Sequence, residues 1–233
     1  MMKFRNLSFI TVLIILVFGN NFAYAQYNRK SQGLTGKVKS YTENFFNAVQ
    51  TDKGWEKGEL QRFAKHKATF DQNGRILSNA YYDSTGQVTM KLRYKYKSKK
   101  QIEQLQYGPH QQLKNKTRIN RVSDTKSTYR KYNLQGDLER AGTTFYENSR
   151  LVKSVTKRIF DSASADTVIR EVSYNGRGFT SAGKQYIKGG EVLFDHTFEY
   201  LKTDKNGNWI KKMVYKAGHD APFGITTRTY TYY

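Results

Sequence analysis

The chain contains no cysteine and only two prolines, and its 19 acidic residues face 40 basic ones. Each shortage excludes something. Without cysteine there is no disulfide framework, no thiolate metal centre and no lipidated cysteine to anchor the chain. No apolar run reaches the roughly 20 residues that a membrane-spanning helix needs. There is no Gly-x-Ser-x-Gly elbow, no phosphate loop and no His-Glu-x-x-His pair. The four histidines, His66, His110, His196 and His219, do not stand at metal-ligand spacing. The sequence therefore implies no catalytic residue, no metal and no cofactor.

What is present begins with an address. Lys3 and Arg5 precede the short apolar run LSFITVLIILVF (7–18), and Ala23-Tyr24-Ala25 offers the small-x-small pattern that signal peptidase cuts. Residues 1–25 are expected to be a signal peptide, which makes the protein exported, periplasmic or secreted, with no transmembrane segment after its removal. The 208 residues that follow suffice for one domain with a sizeable core. Two of the 40 basic residues lie in the leader, so 38 face 19 acidic ones, a formal charge of +19. Such a charge favours an anionic polysaccharide, lipopolysaccharide, nucleic acid or anionic membrane as partner. It equally serves to solvate a sheet face, and the sequence leaves the two uses open.

The stretch QVTMKLRYKY (87–96) alternates Val88, Met90, Leu92, Tyr94 and Tyr96 with Thr89, Lys91, Arg93 and Lys95. Side chains along a strand point to opposite faces in turn, so this is a strand with one apolar and one basic face. Between such strands comes a recurring four-residue phrase: DQNG (71–74), DSTG (83–86), NLQG (133–136) and DKNG (204–207). Asp71, Asp83, Asn133 and Asp204 accept hydrogen bonds from amides further round the turn. Gly74, Gly86, Gly136 and Gly207 supply the left-handed backbone that closes a hairpin with a bulge. These acids are read as turn locks and not as catalysts.

An aromatic residue precedes each turn, in the series Phe70, Tyr82, Tyr96, Tyr107, Tyr132, Tyr146, Phe160, Tyr174, Tyr186, Tyr200, Tyr215 and Tyr230. One gap, between Tyr107 and Tyr132, hides a degenerate unit. The period leaves strands of about 8 to 10 residues, roughly 30 Å long. Fixed repetition of this kind means hairpins stacked in a quasi-one-dimensional sheet.

The phrases FDQNGRI and YDSTGQV resemble the signature of the YD-repeat, or RHS-repeat, family, in which Tyr-Asp-x-x-Gly-Arg-Leu recurs between strands. The ending DKNGNWIKKMVYKAG is similar to the terminal unit of small exported members of Bacteroidetes type. Large members wind such strands into a shell around a toxin, and some are linked to carbohydrate binding. This chain has too few strands to enclose a toxin domain, so the resemblance implies architecture more than activity.

The fold expected is all-β: a repetitive antiparallel hairpin meander of about a dozen strands, curled into an open barrel or layered sheet because so long a sheet must cover its apolar face. Residues 70–233 form the meander. Residues 26–69 are expected as a less regular segment packed on the sheet, with one or two strands, a loop at KGWEKGE (53–59), and a place at one end of the fold. YGPHQQ and AGHDAPFG, which hold Pro109 and Pro222, are expected as loops.

For function, the sequence offers binding rather than chemistry. Lys91, Arg93 and Lys95 project from one strand face, and Lys153 and Lys157 are expected to join Arg158 and Arg170 where register permits, forming a grid for repeated anionic groups. The expectation is a non-enzymatic exported protein of the cell envelope that contacts an anionic polysaccharide or an envelope protein, with nucleic acid unfavoured. A purely structural scaffold is the alternative. A hydrolase using His219, Asp220 or an unrecognised carboxylate pair is a third. His196 falls in phase with Phe194, Phe198 and Tyr200 and is expected inside, with Asp195 on the opposite face.

Overall fold

The computed structural model describes residues 28–159 and 165–233. Residues 1–25, expected as a signal peptide, and Phe160 lie outside these described residues. The described chain is all-β apart from one 3-10 turn, Lys30–Gln32. Fourteen strands follow in order: β1 (Val38–Thr51), β2 (Gly54–Phe70), β3 (Ile76–Tyr82), β4 (Val88–Tyr96), β5 (Gln101–Tyr107), β6 (Leu113–Arg121), β7 (Lys126–Tyr132), β8 (Leu138–Glu147), β9 (Arg150–Ile159), β10 (Ala165–Tyr174), β11 (Thr180–Ile187), β12 (Val192–Thr203), β13 (Trp209–Lys216) and β14 (Pro222–Tyr232). Each pairs antiparallel with its neighbour in sequence, and β1 pairs with β14, so the meander closes as a barrel. Closure removes both open edges and puts the apolar faces inside.

The turn phrases are built as their chemistry dictates. Asp71 Oδ1 accepts the amide of Arg75 at 2.8 Å, and Asp83 Oδ1 those of Thr85 and Gln87 at 3.0 and 2.9 Å. Asn133 and Asp204 repeat the pattern with Asp137 and with Asn206 and Asn208. Gly74, Gly86, Gly136 and Gly207 all have φ between 82° and 95°. NGRG (175–178) is a fifth copy: Asn175 Oδ1 accepts from Arg177 and Phe179, and Gly178 has φ 76°.

The aromatic series acquires a rule that its spacing alone does not state. Phe70, Tyr96, Tyr146, Tyr174, Tyr200 and Tyr230 stand on even-numbered strands and face the interior. Tyr82, Tyr107, Tyr132, Tyr186 and Tyr215 stand on odd-numbered strands and share the outer face with residues such as Lys65, Lys91 and Lys116. Four of the inner tyrosines act as latches. Their hydroxyls donate to the carbonyl at or near the start of the preceding strand: Tyr96 to Ile76, Tyr174 to Leu151, Tyr200 to Thr180 and Tyr230 to Trp209, all at 2.8–2.9 Å. Each hairpin thus ties its own open end, with the phenol ring buried and its polar tip satisfied.

The larger apolar cluster gathers Val38, Tyr41, Phe70, Ile76, Tyr81, Leu92, Tyr94 and Ile119 from β1 to β6. Ahead of β1, residues 28–37 fold over the end of the barrel that carries the β2–β3 and β12–β13 turns. Arg29 donates to the carbonyls of Gln72 and Val38, the Arg29 amide to Gly74, and Thr35 exchanges bonds with Asn208.

Four expectations need correction. Residues 38–70 are not an irregular segment but two of the longest strands, and KGWEKGE runs into β2. Their alternation is broken by bulges, with register shifts between Asn44 and Phe46 and between Phe46 and Ala48, which scrambles a period-two reading. They also raise the count to fourteen. Pro222 is not in a loop: it opens β14 opposite Tyr215, a position where proline is tolerated because it begins the ladder. Finally, His66, whose basic and polar neighbours in the sequence imply a loop, lies buried in β2.

Candidate functional site

Lys91, Arg93 and Lys95 project outward from β4, while Leu92 and Tyr94 are buried inside. Register extends this basic wall. Ala80 pairs with both Lys67 and Lys91, Ser78 with Arg93, Leu105 with Arg93 and Lys116, and Glu103 with Arg118. Lys65, Lys67, Lys91, Arg93, Lys95, Lys116, Arg118 and Arg130 therefore share the outer face of β2 to β7. Glu103, paired with Lys95 and Arg118 in the register, reaches Lys116 at 3.7 Å. Among the described residues Lys91, Arg93 and Lys95 form no ion pair.

Aromatic rings lie under this charge. Lys65 sits 5.4 Å from the ring of Tyr82, Arg93 5.3 Å from Tyr107 and Arg118 5.5 Å from Tyr132. The three tyrosines end β3, β5 and β7 at the same rim and are half-buried. Successive tyrosines stand two strands apart, about 10 Å across the sheet, and the register offsets each by about two to three residues along it, so they lie about 12–14 Å apart.

Lys153 and Lys157 do not join Arg158 and Arg170. Lys153 pairs across the outer wall with Glu171 at 2.9 Å, and Lys157 stands outside opposite Thr167. Arg158 and Arg170 point inward, Arg158 onto Asp166. One residue of parity separates the two groups, and a strand's pleat turns that into opposite faces. His219 and Asp220 lie exposed in the β13–β14 turn.

The interior holds a polar constellation that pattern reading did not find. Arg228 places Nε and Nη2 2.8 and 2.7 Å from one oxygen of Glu43, and Lys212 approaches the other at 3.9 Å. The guanidinium lies 4.1 Å from the rings of both Tyr41 and Trp209, and Lys212 lies 4.5 and 4.7 Å from Trp209 and Phe198. Burial opposes the Glu43 charge, but Arg228, Lys212 and His66 outweigh it and hold the carboxyl at about 2. Burial lowers Lys212 to about 8 against the pull of Glu43. His66, stacked on Tyr81 at 4.7 Å, is pushed down to about 4 by burial, opposed by Glu43 and by its bond to Asn79. Asn79 donates its amide to the Tyr94 hydroxyl, so its oxygen accepts, and His66 carries the proton on Nε2.

Beside this cluster lies a cavity of about 140 Å³. Its wall includes Glu43, Arg170, Lys212, Thr226 and Arg228, together with Phe45, Phe194, Phe198, Tyr200 and Trp209. Ser31, Gln32 and Gly33 complete the wall at the covered end. His196 also lines it, inward as expected, packed 5.4 Å from Phe194 and 4.9 Å from Phe223, and burial lowers its pKa. The only sequence signal for this site was the inward phase of His196; Glu43 and Arg228 are 185 residues apart, and nothing local connects them.

No family model matches the chain, and no curated protein matches it. Among solved structures it is similar to a porin-like protein from Bacteroides uniformis ATCC 8492, at 8% identity and a TM-score of 0.39, covering 84% of this chain and 98% of that one. So distant a likeness carries no conclusion about function.

Proposed function

We propose that this is an exported, non-catalytic β-barrel of the cell envelope that binds an anionic polysaccharide along the outer wall of β2 to β7. The observation that carries the reading is the row of cation-on-tyrosine pairs at Tyr82, Tyr107 and Tyr132, set among basic side chains that have few acids beside them. A spacing of about 12–14 Å is on the scale of a short oligosaccharide. Tyrosine faces stack on sugar rings, and Lys and Arg meet the carboxylates or sulfates between them. The same wall argues for water outside rather than lipid, since an outward Lys or Arg at mid-bilayer costs about 2–4 kcal/mol. The Asp-x-x-Gly turns and the tyrosines before them favour kinship with YD-repeat proteins as part of this proposal.

The test is retention on immobilised heparin, a sulfated polysaccharide, over a salt gradient. Lys91→Glu/Arg93→Glu/Lys95→Glu should elute at clearly lower salt with an unchanged circular dichroism spectrum. Unaltered retention of the folded triple variant would remove this wall as the binding face and favour a scaffold.

A further inference from the structure

We infer that the cavity inside the barrel, beside Lys212, Thr226 and Arg228, is a binding site for a small carboxylate whose apolar body is no larger than a single ring. This goes beyond the outer-wall reading and does not depend on it.

Three observations converge. The first is placement. Lys212 and Thr226 are directly opposed across β13 and β14, Arg228 stands two residues further along the same inner face, and all three line the cavity. The second is unspent hydrogen-bonding capacity. Thr226 is fully buried, and its hydroxyl has no hydrogen-bond partner among the described residues. Buried polar groups are ordinarily satisfied, so an orphan hydroxyl in the wall of a cavity points to something that fills it. The third is charge. Lys212 and Arg228 are both set against the single carboxylate of Glu43 in the cavity wall. Burying an excess of cations is unfavourable, and an anion relieves it.

The remainder of the wall defines the rest of the ligand. Phe45, Phe194, Phe198, Tyr200 and Trp209 offer ring faces and edges but few hydrogen bonds, which suits a flat apolar body. A dry cavity of about 150 Å³ accepts benzene, so a volume of about 140 Å³ matches one ring bearing one carboxylate. The carboxylate accepts from Thr226 Oγ1 and lies near Lys212 Nζ and the Arg228 guanidinium, while Glu43 keeps its bonds to the Nε–Nη2 edge. No bond is made or broken in the ligand. The site binds and does not transform.

The experiment uses benzoate as the probe and Trp209 as the reporter. Trp55→Phe leaves Trp209 as the sole tryptophan, since the chain has two. Benzoate should change its emission saturably and raise the melting temperature. Benzyl alcohol, of similar shape but uncharged, should bind at least about tenfold more weakly. Thr226→Val keeps the shape of the side chain and removes the orphan hydroxyl, and Lys212→Met removes one cation; each should weaken benzoate by about tenfold. If Lys212→Met does not fold, Thr226→Val decides. The Lys91, Arg93 and Lys95 charge swap should leave benzoate affinity unchanged, which separates this site from the outer wall. No saturable response, equal responses to benzoate and benzyl alcohol, or full affinity in Thr226→Val would overturn the inference.

Discussion

Arg228 and Glu43 meet inside the barrel at 2.7 and 2.8 Å, on the seam where the last strand joins the first. Glu43 and Arg228 face each other directly in the β1–β14 register. The pair therefore marks the step that converts a meander into a closed wall. Both partners are almost wholly buried, so removing one leaves the other without compensation. Glu43→Gln should destabilise the fold by about 3–5 kcal/mol in chemical denaturation. The sign with pH follows from the depressed carboxyl. The ordinary value is 4.5 and the folded value about 2, so the stabilisation is complete above the former and lost as pH falls through the latter. Glu43→Gln should flatten the acid limb of the stability curve between those limits.

His66 adds a separate window. Its folded value is about 4 against an ordinary 6.5, because burial disfavours the imidazolium. The unfolded chain binds the proton first, so stability is full above 6.5, falls as pH drops towards 4, and changes no further from this source below it. The drop should be of order 3 kcal/mol. His66→Phe, which retains a ring against Tyr81, should abolish this part of the pH dependence while leaving the Glu43 window in place. His196, also lowered by burial, contributes to the same window, so a slope undiminished between pH 4 and 6.5 in the variant would assign the effect to it or another group.

Two glycines separate backbone strain from crowding. Gly86 has φ 88°, and a Cβ there would touch nothing within 4 Å. Gly86→Ala should therefore cost about 1 kcal/mol through conformation alone. Gly224 faces inward beside the Phe45 ring, into which a Cβ would run. Gly224→Ala should cost about 1–3 kcal/mol by overpacking, and Phe45→Leu in the same chain should recover part of it. Independent, additive losses in that pair would argue against the contact.

Much of this architecture was legible because its grammar is local. An Asp or Asn that accepts amides two and four residues on, and a glycine that closes the turn, are visible in four residues, as at 83–86. Alternation along 87–96 placed Lys91, Arg93 and Lys95 outside correctly. Where bulges interrupt alternation, as around Phe46 in β1, the strand became unreadable, and with it the two strands that complete the barrel. Parity of Lys153 against Arg158 depends on a single-residue offset, which composition does not weigh. The interior cluster was out of reach for a different reason. Glu43, His66, Lys212 and Arg228 come together only through closure of β1 on β14, a contact between the two ends of the chain.

The latch tyrosines test whether the repeat is maintained for structure. Tyr96 donates to the Ile76 carbonyl at 2.9 Å with its ring packed against the main core cluster. Tyr96→Phe keeps the ring and removes the bond, and should cost about 1 kcal/mol in denaturant unfolding. The same change at Tyr82, whose ring lies outside under Lys65, should leave stability within about 0.5 kcal/mol.

That contrast extends to binding. Tyr82, Tyr107 and Tyr132 stand on the outer wall with a cation over each ring, while the even-strand tyrosines are occupied within. Truncating one outer ring to alanine removes a stacking surface worth about 1 kcal/mol, or roughly fivefold in affinity for a polysaccharide. Replacing all three should weaken heparin-fragment binding far more than any one of them, because a single chain spans the row and its contacts act together. Salt dependence should persist, since Lys91, Arg93 and Lys95 remain. Calorimetric titration that finds the triple alanine variant as tight as the parent would leave the outer wall a field of charge alone, with no role for the rings in recognition.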